Sequence, residues 1–550
     1  MASTTGKTLS AGPGPAERSD RTLRRLIPAI IPGGFFAVAA TIAAFHPLFR
    51  EFDGLMQWGS GRTVIRDGIY GGWASHFWPP LYSTLTGLLN LVVDGIWAAR
   101  LVSLFSATAM LGVVYSFTKE VSGSPRAAVM AQTLVAVNPL FLQNAFQAQN
   151  HMLDAFLYVA AVWLLIRGIR APSAGRMAGA GIVAGLAVMA RYQSAVIVVP
   201  AGIALLVVAA RSRRGIGYGL MYVTGMAVAV TPWVLQNWAM NGSPIATWQH
   251  LNIGSAFLDP DRSSGRWWWL RQSYYDSLKD VLTADPDGYW RNVRRNLADS
   301  GKNLLASAGI AAPLVPLGVI TGRRGAGRDT WWLVVGSVAL FVALISQAFT
   351  RDYLFLSSST LFIIIGTAWL ATRWERLALK RQFRHAPAWL LLAPMLLSGA
   401  GLSAMETRAY FHTYNPSITV DAIAAGAALR AEPGIATKRV MAIHPIYAYE
   451  AGSRYVMTPL WYPGSILQFV RYELVRPRIK RYAPRIPATM KDDELGADYL
   501  VVNTGLIQAL PQFQGLLTPD KGYPSAWEIT YRSPVAVVYR IPSAERIASG

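Results

Sequence analysis

The chain has 550 residues, of which 53% are apolar and only 15% charged, against roughly 25% charged in an average soluble domain. That balance argues against a soluble multidomain enzyme, and 11% aromatics with 19 tryptophans argue against a disordered chain. The absence of cysteine excludes a disulfide scaffold, a thiolate metal site and a cysteine nucleophile, while a formal charge of +21 fits either nucleic acid or membrane topology.

Residues 1–25 are polar, end in Arg21, Arg24 and Arg25, and predict a disordered cytoplasmic tail. Residues 26–45 supply the ~20 apolar positions that a bilayer core requires. They are too long for a signal h-region and lack a small-residue cleavage pattern, so they read as a retained first span. Further apolar runs near 97–118, 127–142, 154–168, 177–190, 192–210, 217–238, 303–321, 331–349, 353–372 and 387–403 bring the candidate spans to eleven. The run 80–93 is short, begins at Pro79-Pro80 and reads as a juxtamembrane helix.

Charge placement orients these spans. With the N-terminus inside, the inner loops carry Lys119 and Arg126, then Arg170 and Arg176, then Arg211, Arg213 and Arg214. Arg323, Arg324 and Arg328 follow, and then Arg373, Arg376, Lys380, Arg381 and Arg384. The short outer connections hold only Arg191 and, beside Asp352, Arg351. This is the asymmetry of the positive-inside rule. The basic residues form no continuous patch, so nucleic acid is not the expected partner.

The fold class expected is therefore an all-α polytopic membrane protein of about eleven transmembrane helices plus juxtamembrane helices, with a C-terminal extracytoplasmic α/β domain. The transmembrane unit is 26–403, with outer loops 46–95 and 239–302. The outer unit is 404–550, where strand-like pieces at 439–443, 497–502 and 536–541 alternate with turns. The setting expected is a bacterial inner membrane, with the N-terminus cytoplasmic.

Ionisable groups at membrane depth are costly and mark function by default. On this topology they gather at the outer face: Asp53, His76, the pair His151 and Asp154 three residues apart on one helical face, Arg191, and Arg351 with Asp352 and Tyr353. Bland readings stand beside each. Asp53 and Asp154 could be helix caps, the two histidines interfacial packing residues, the two arginines anchors for lipid phosphates, Tyr353 part of an aromatic belt, and Arg100 a structural partner. Taken together, two carboxylates, two histidines, two arginines and a tyrosine suit an anionic, partly lipidic substrate.

A carboxylate within reach of an acceptor hydroxyl can act as its base, and two guanidinium groups can stabilise a departing phosphate. A single base with in-line attack inverts the anomeric centre. No Walker motif and no Gly-rich strand-to-helix turn is present, so a nucleotide donor is not indicated. The donor expected is a polyprenyl-phosphate sugar, and the acceptor a glycan, a lipid or a protein.

The order of these features carries a resemblance. Phe52-Asp53-Gly54 follows the first span, then Ile69-Tyr70-Gly71-Gly72, Trp78-Pro79-Pro80-Leu81, and Ala99-Arg100-Leu101-Val102-Ser103. Asn138-Pro139, Asp154, the Gly-rich run from Gly185 to Arg191, and Arg351-Asp352-Tyr353-Leu354 complete the series. Over about 26–400 it resembles the polytopic GT-C glycosyltransferases, in the branch of protein O-mannosyltransferases and lipid A aminoarabinose transferases. The resemblance implies that Asp53 is the catalytic carboxylate and that Asp154 is the second acid supporting the site. It also implies that Arg191, Arg351 and Tyr353 face the donor phosphate. His76 and His151 would support the site or, with Asp154, hold a divalent cation. Where many relatives carry further acids this chain has Gly54 and Phe77, which leaves a thin ligand set for a metal.

Two other classes compete. A lipid or polyanion transporter without covalent chemistry would also need charges in the membrane, but no paired, broken-helix halves are visible. A scaffold whose tail binds partners is the third. The aromatic segment 265–275, with Trp267-Trp268-Trp269, is expected to cover the site or guide the acceptor.

Overall fold

The computed structural model describes residues 15–45, 52–67, 78–93, 95–211, 213–245, 247, 249–258, 275, 277–325, 327–380, 389–413, 416–457, 497–509, 511–518 and 527–541. The membrane part is helical. In chain order it runs α1 Pro15–Phe45, α2 Phe52–Asp67, α3 Leu81–Leu89, α4 Trp97–Ser122, α5 Pro125–Ala136, α6 Pro139–Phe146, α7 His151–Arg170 and α8 Ala174–Ala190. Then follow α9 Val198–Arg211, α10 Arg213–Asn241, α11 Gln249–Phe257, α12 Leu278–Ala284, α13 Pro286–Ala308, α14 Leu314–Gly325, α15 Arg328–Ile345, α16 Leu356–Lys380 and α17 Trp389–Thr413. Helix α1 begins at Pro15 and so takes in residues 15–25.

Among the described residues seven helices are long and apolar enough to cross a membrane: Pro28–Phe45, Trp97–Ser122, His151–Arg170, Tyr192–Ala210, Arg214–Ala239, Arg328–Ile345 and Asp352–Ala371. The other four expected runs take different forms. Residues 127–142 fall on two helices, because Asn138 caps α6 by accepting the Phe141 amide at 3.0 Å and Pro139 has no amide hydrogen to continue α5. The run 303–321 is bent by 89° between α13 and α14, 177–190 lies in the shorter α8, and 387–403 lies in α17. Helix α3 has nine residues, about 14 Å of rise, which is too short to span.

Close packing rests on small residues, as expected where lipid removes the hydrophobic drive between helices. A Cβ at Gly181 would lie 1.9 Å from the Tyr222 carbonyl oxygen, and one at Gly225 would lie 2.1 Å from that of Ala178, so α8 and α10 meet backbone to backbone. Arg100, buried at the head of α4, donates from Nη1 to the Ala43 carbonyl at 2.8 Å. A cation on the last carbonyls of α1 satisfies that helix end and fixes where the chain leaves it for Asp53.

After α17 come α18 Pro416–Arg430, α19 Ile446–Ala451 and a five-stranded sheet of order β2-β1-β3-β5-β4. The strands are β1 Arg439–Ala442, β2 Arg454–Met457, β3 Tyr499–Asn503, β4 Glu528–Arg532 and β5 Ala536–Arg540. The β2, β1 and β3 strands are parallel, and β5 and β4 continue antiparallel. The sequence reading found the three central strands. It missed the edge strands: β2 has only four residues, and β4 alternates Glu528, Thr530 and Arg532 with Ile529 and Tyr531 and so carries no apolar run.

This unit packs onto the helix that carries Asp53. The Tyr449 hydroxyl accepts the Ile96 amide at 3.0 Å, and its ring meets the edge of Trp58 at 4.5 Å. Leu55 and Trp58 of α2 share one buried cluster with Ala422, Ala425 and Tyr447.

Candidate active site

The site begins with a close approach. Asp53 stands in the first turn of α2, where the helix dipole favours a carboxylate. Gly54 behind it rests on the turn before α7: a Cβ there would fall 1.6 Å from the Ala148 carbonyl oxygen. Position 54 therefore has no room for a side chain.

Hydrogen bonds hold the Ala148 turn from below. Ser103 donates to the Gln149 carbonyl at 2.9 Å, and the Tyr82 hydroxyl lies 3.2 Å from the Ser103 hydroxyl while donating to Ala99. The Asn150 amide donates to the Ala190 carbonyl at 3.1 Å, closing the end of α8 where Arg191 follows in extended conformation. The head of α7 and the tail of α8 are thus fixed side by side.

Arg191 Nη1 lies 2.6 Å from His151 Nδ1, and its Nε donates to Gln193 Oε1 at 3.2 Å. A guanidinium has only protons to offer, so Nδ1 is the acceptor and the neutral ring carries its proton on Nε2. The His151 ring stacks on Tyr353 with centroids 4.4 Å apart and planes 29° from parallel. Asp154 is buried, and its Oδ1 accepts from the Ser194 hydroxyl at 2.5 Å, tying α7 to the turn that presents Arg191.

Several charged groups surround Tyr353. Asp53, Arg191, Arg351 and Asp352 all lie near enough for their charges to act on it. Arg351 is extended and exposed, and Asp352 Oδ1 caps the turn by accepting the Tyr353 amide at 2.9 Å. Asp53 is exposed at this end of the bundle, with protein packed closely around it. Burial pushes its carboxyl above the usual carboxylate range, and the Arg191 guanidinium pulls it part of the way back.

Five of the expected site residues, Asp53, His151, Arg191, Arg351 and Tyr353, come together at one end of the bundle. Asp154 lies beside them but turns inward. His76 and the aromatic segment 265–275, apart from Tyr275, lie outside the described residues. Sequence reasoning missed Ser194, Gln193 and Glu406, the last exposed and close enough to Asp352 for the two charges to interact. Ser194 was findable three residues after Arg191, and Glu406 three residues after an apolar run ends.

The donor set does not fit a divalent cation. His151 Nδ1 is held by Arg191 and an Asp154 oxygen by Ser194. Among the described residues no three His, Asp or Glu side chains are grouped as a cation requires.

A family model described as dolichyl-phosphate-mannose-protein mannosyltransferase matches residues 78–235. The chain superposes on the crystal structure of ArnT from Cupriavidus metallidurans bound to undecaprenyl phosphate, at 14% identity and TM-score 0.56, covering 93% of this chain and 98% of that one. The apo form of ArnT gives 13% identity, TM-score 0.56 and coverage of 93% and 97%. The Archaeoglobus fulgidus oligosaccharyltransferase, in complex with zinc and sulfate, gives 15% identity, TM-score 0.52 and coverage of 92% and 73%. No curated protein sequence matches the chain. With α2 and α3 set against the helix bundle, a sheet domain seated over them and these superpositions along nearly its whole length, the chain has the GT-C fold of the polytopic glycosyltransferases.

Proposed function

We propose that the chain is an inverting glycosyltransferase of the extracytoplasmic membrane face, moving a hexose or pentose from a polyprenyl-phosphate donor to a cell-envelope acceptor. The observation that carries this reading is the convergence of Asp53, His151, Arg191, Arg351 and Tyr353 at one end of the bundle. The undecaprenyl phosphate bound to ArnT supports the choice of donor. The basic loops at the other end support the outer assignment for the site, in a bacterial inner membrane with the N-terminus inside and the sheet domain outside.

In the reaction the acceptor hydroxyl attacks the anomeric carbon, its proton passes to an Asp53 carboxylate oxygen, and the bond from that carbon to the phosphate oxygen breaks. The electron pair leaves with the polyprenyl phosphate. A carboxyl raised by burial is a stronger base than a solvated one. Arg191 and Arg351 stabilise the charge growing on the phosphate and stay ionised throughout. The His151 Nε2 proton supplies a further donor, held in one tautomer by Arg191. Asp154 is assigned to positioning the Arg191 turn through Ser194. No step is routed through a metal.

The purified chain, supplied with a labelled polyprenyl-phosphate sugar and an envelope extract, is expected to release polyprenyl phosphate and label a covalent product of inverted anomeric configuration. Movement of intact labelled lipid across liposomes with no covalent product would instead support the transporter reading.

A further inference from the structure

Helix α7 is twenty residues long, beginning in the site at His151 and ending at Arg170, about 30 Å away at 1.5 Å per residue. That is the thickness of a bilayer core. At this far end a half-open cavity of about 410 Å³ lies between α7, α9 and α15. Its deep wall is apolar, formed by Ile166, Val208 and Leu333, and its mouth carries Arg170, Arg328 and Asp329.

The two guanidinium groups differ. Arg170 Nη2 donates to Thr330 Oγ1 at 2.7 Å, which ties the ends of α7 and α15 together. Arg328 is exposed, and among the described residues no acceptor holds it. One carboxylate against two guanidiniums leaves the mouth with a single net positive charge.

An occupant must match both ends. A soluble anion would leave the Ile166, Val208 and Leu333 wall wetted, and a neutral hydrocarbon would leave the guanidinium mouth unused. A phosphate ester on an apolar chain satisfies both, and the cavity opens at the end of a helix of span length, α7, where headgroup phosphates lie in a bilayer. We propose that this cavity binds the phosphate headgroup and first acyl carbons of an anionic phospholipid, at the face opposite the candidate active site. Arg328 supplies the charge-assisted hydrogen bonds, and Val208 and Leu333 take the chain.

The test uses the full-length protein in dodecyl maltoside. Phosphatidylglycerol is expected to raise Tm by several degrees, while phosphatidylcholine and inorganic phosphate at the same concentration leave it unchanged. Arg328→Gln removes one exposed side chain, so it is expected to keep the lipid-free Tm while weakening phosphatidylglycerol binding about tenfold. Val208→Phe, which fills the apolar end and leaves both guanidiniums, is expected to abolish the shift. Equal stabilisation by phosphatidylcholine, or an undiminished shift in either variant, overturns the proposal. A full shift with inorganic phosphate alone overturns the lipid assignment and leaves a simple anion site.

Discussion

Arg191 and His151, forty residues apart in the chain, meet with Nη1 2.6 Å from Nδ1. The contact sets the tautomer of the histidine and holds the guanidinium beside Tyr353. Replacing His151 by Phe keeps a ring for the stack but leaves Arg191 Nη1 without the Nδ1 acceptor, with only Gln193 still holding the guanidinium. Transfer is expected to fall about tenfold to a hundredfold, mostly in kcat, because a donor aimed at the leaving phosphate is displaced. Arg191→Lys should cost at least as much, since an ammonium cannot serve His151, Gln193 and a phosphate in one plane. Steady-state kinetics with a polyprenyl-phosphate sugar measures both.

Gly54 is a steric requirement. Because a Cβ there would sit 1.6 Å from the Ala148 carbonyl oxygen, Gly54→Ala must push α2 away from the turn before α7. A loss of stability of about 1–3 kcal/mol and a drop in kcat near a hundredfold are expected together. Gly54→Asp, which restores the acid of many relatives, should fare worse. Thermal unfolding in detergent and turnover on the same preparations check this.

Tyr449 links the sheet domain to the helix that carries Asp53. Tyr449→Phe keeps the ring against Trp58 and removes the acceptor of the Ile96 amide. A part-buried donor left without a partner costs about 1–3 kcal/mol. Lower Tm and faster proteolytic release of the sheet domain are expected.

His444 is expected to make the sheet domain acid-sensitive. Burial lowers its pKa to about 4, against about 6.5 for an unfolded histidine, and its Nδ1 accepts the Ile446 amide at 3.3 Å. Between those values the unfolded chain binds the extra proton, so stability is lost as pH falls from about 6.5 to about 4. Roughly 3 kcal/mol is at stake from this group. Comparing Tm against pH for the wild type and His444→Gln isolates it: the variant should show a shallower decline.

As the proposed base, Asp53 is expected to set the acidic limb of activity. Its carboxyl is raised by burial, and the base must be ionised to work. The profile of kcat/KM should therefore fall, as pH drops, at a value above the ~3.9 of a solvated aspartate. Arg191→Gln, which removes the opposing charge, should move that limb to still higher pH.

Much of this molecule was legible in its sequence. Apolar runs and loop arginines gave the helical membrane unit, and the gathering of Asp53, His151, Arg191, Arg351 and Tyr353 followed from placing span ends on one side. The breaks at Asn138-Pro139 and between α13 and α14 were hidden inside apolar runs, because hydropathy sums over a window and ignores caps and bends. The inward turn of Asp154 was invisible because it depends on Ser194, forty residues away. The strand β2 was missed because its four residues are too few to show a pattern, and β4 because Glu528, Thr530 and Arg532 interrupt its apolar residues. Gly54 read as a departure from a family pattern, and only its distance to Ala148 shows what the glycine does.

The most direct test is single-turnover transfer by Asp53→Asn with a polyprenyl-phosphate sugar, run beside a measurement of polyprenyl phosphate binding. The account expects a rate at least about a thousandfold below wild type, since the asparagine cannot take the acceptor proton, with binding and Tm nearly unchanged. Transfer at a rate within a few fold of wild type, by a protein that still binds the lipid, would contradict it.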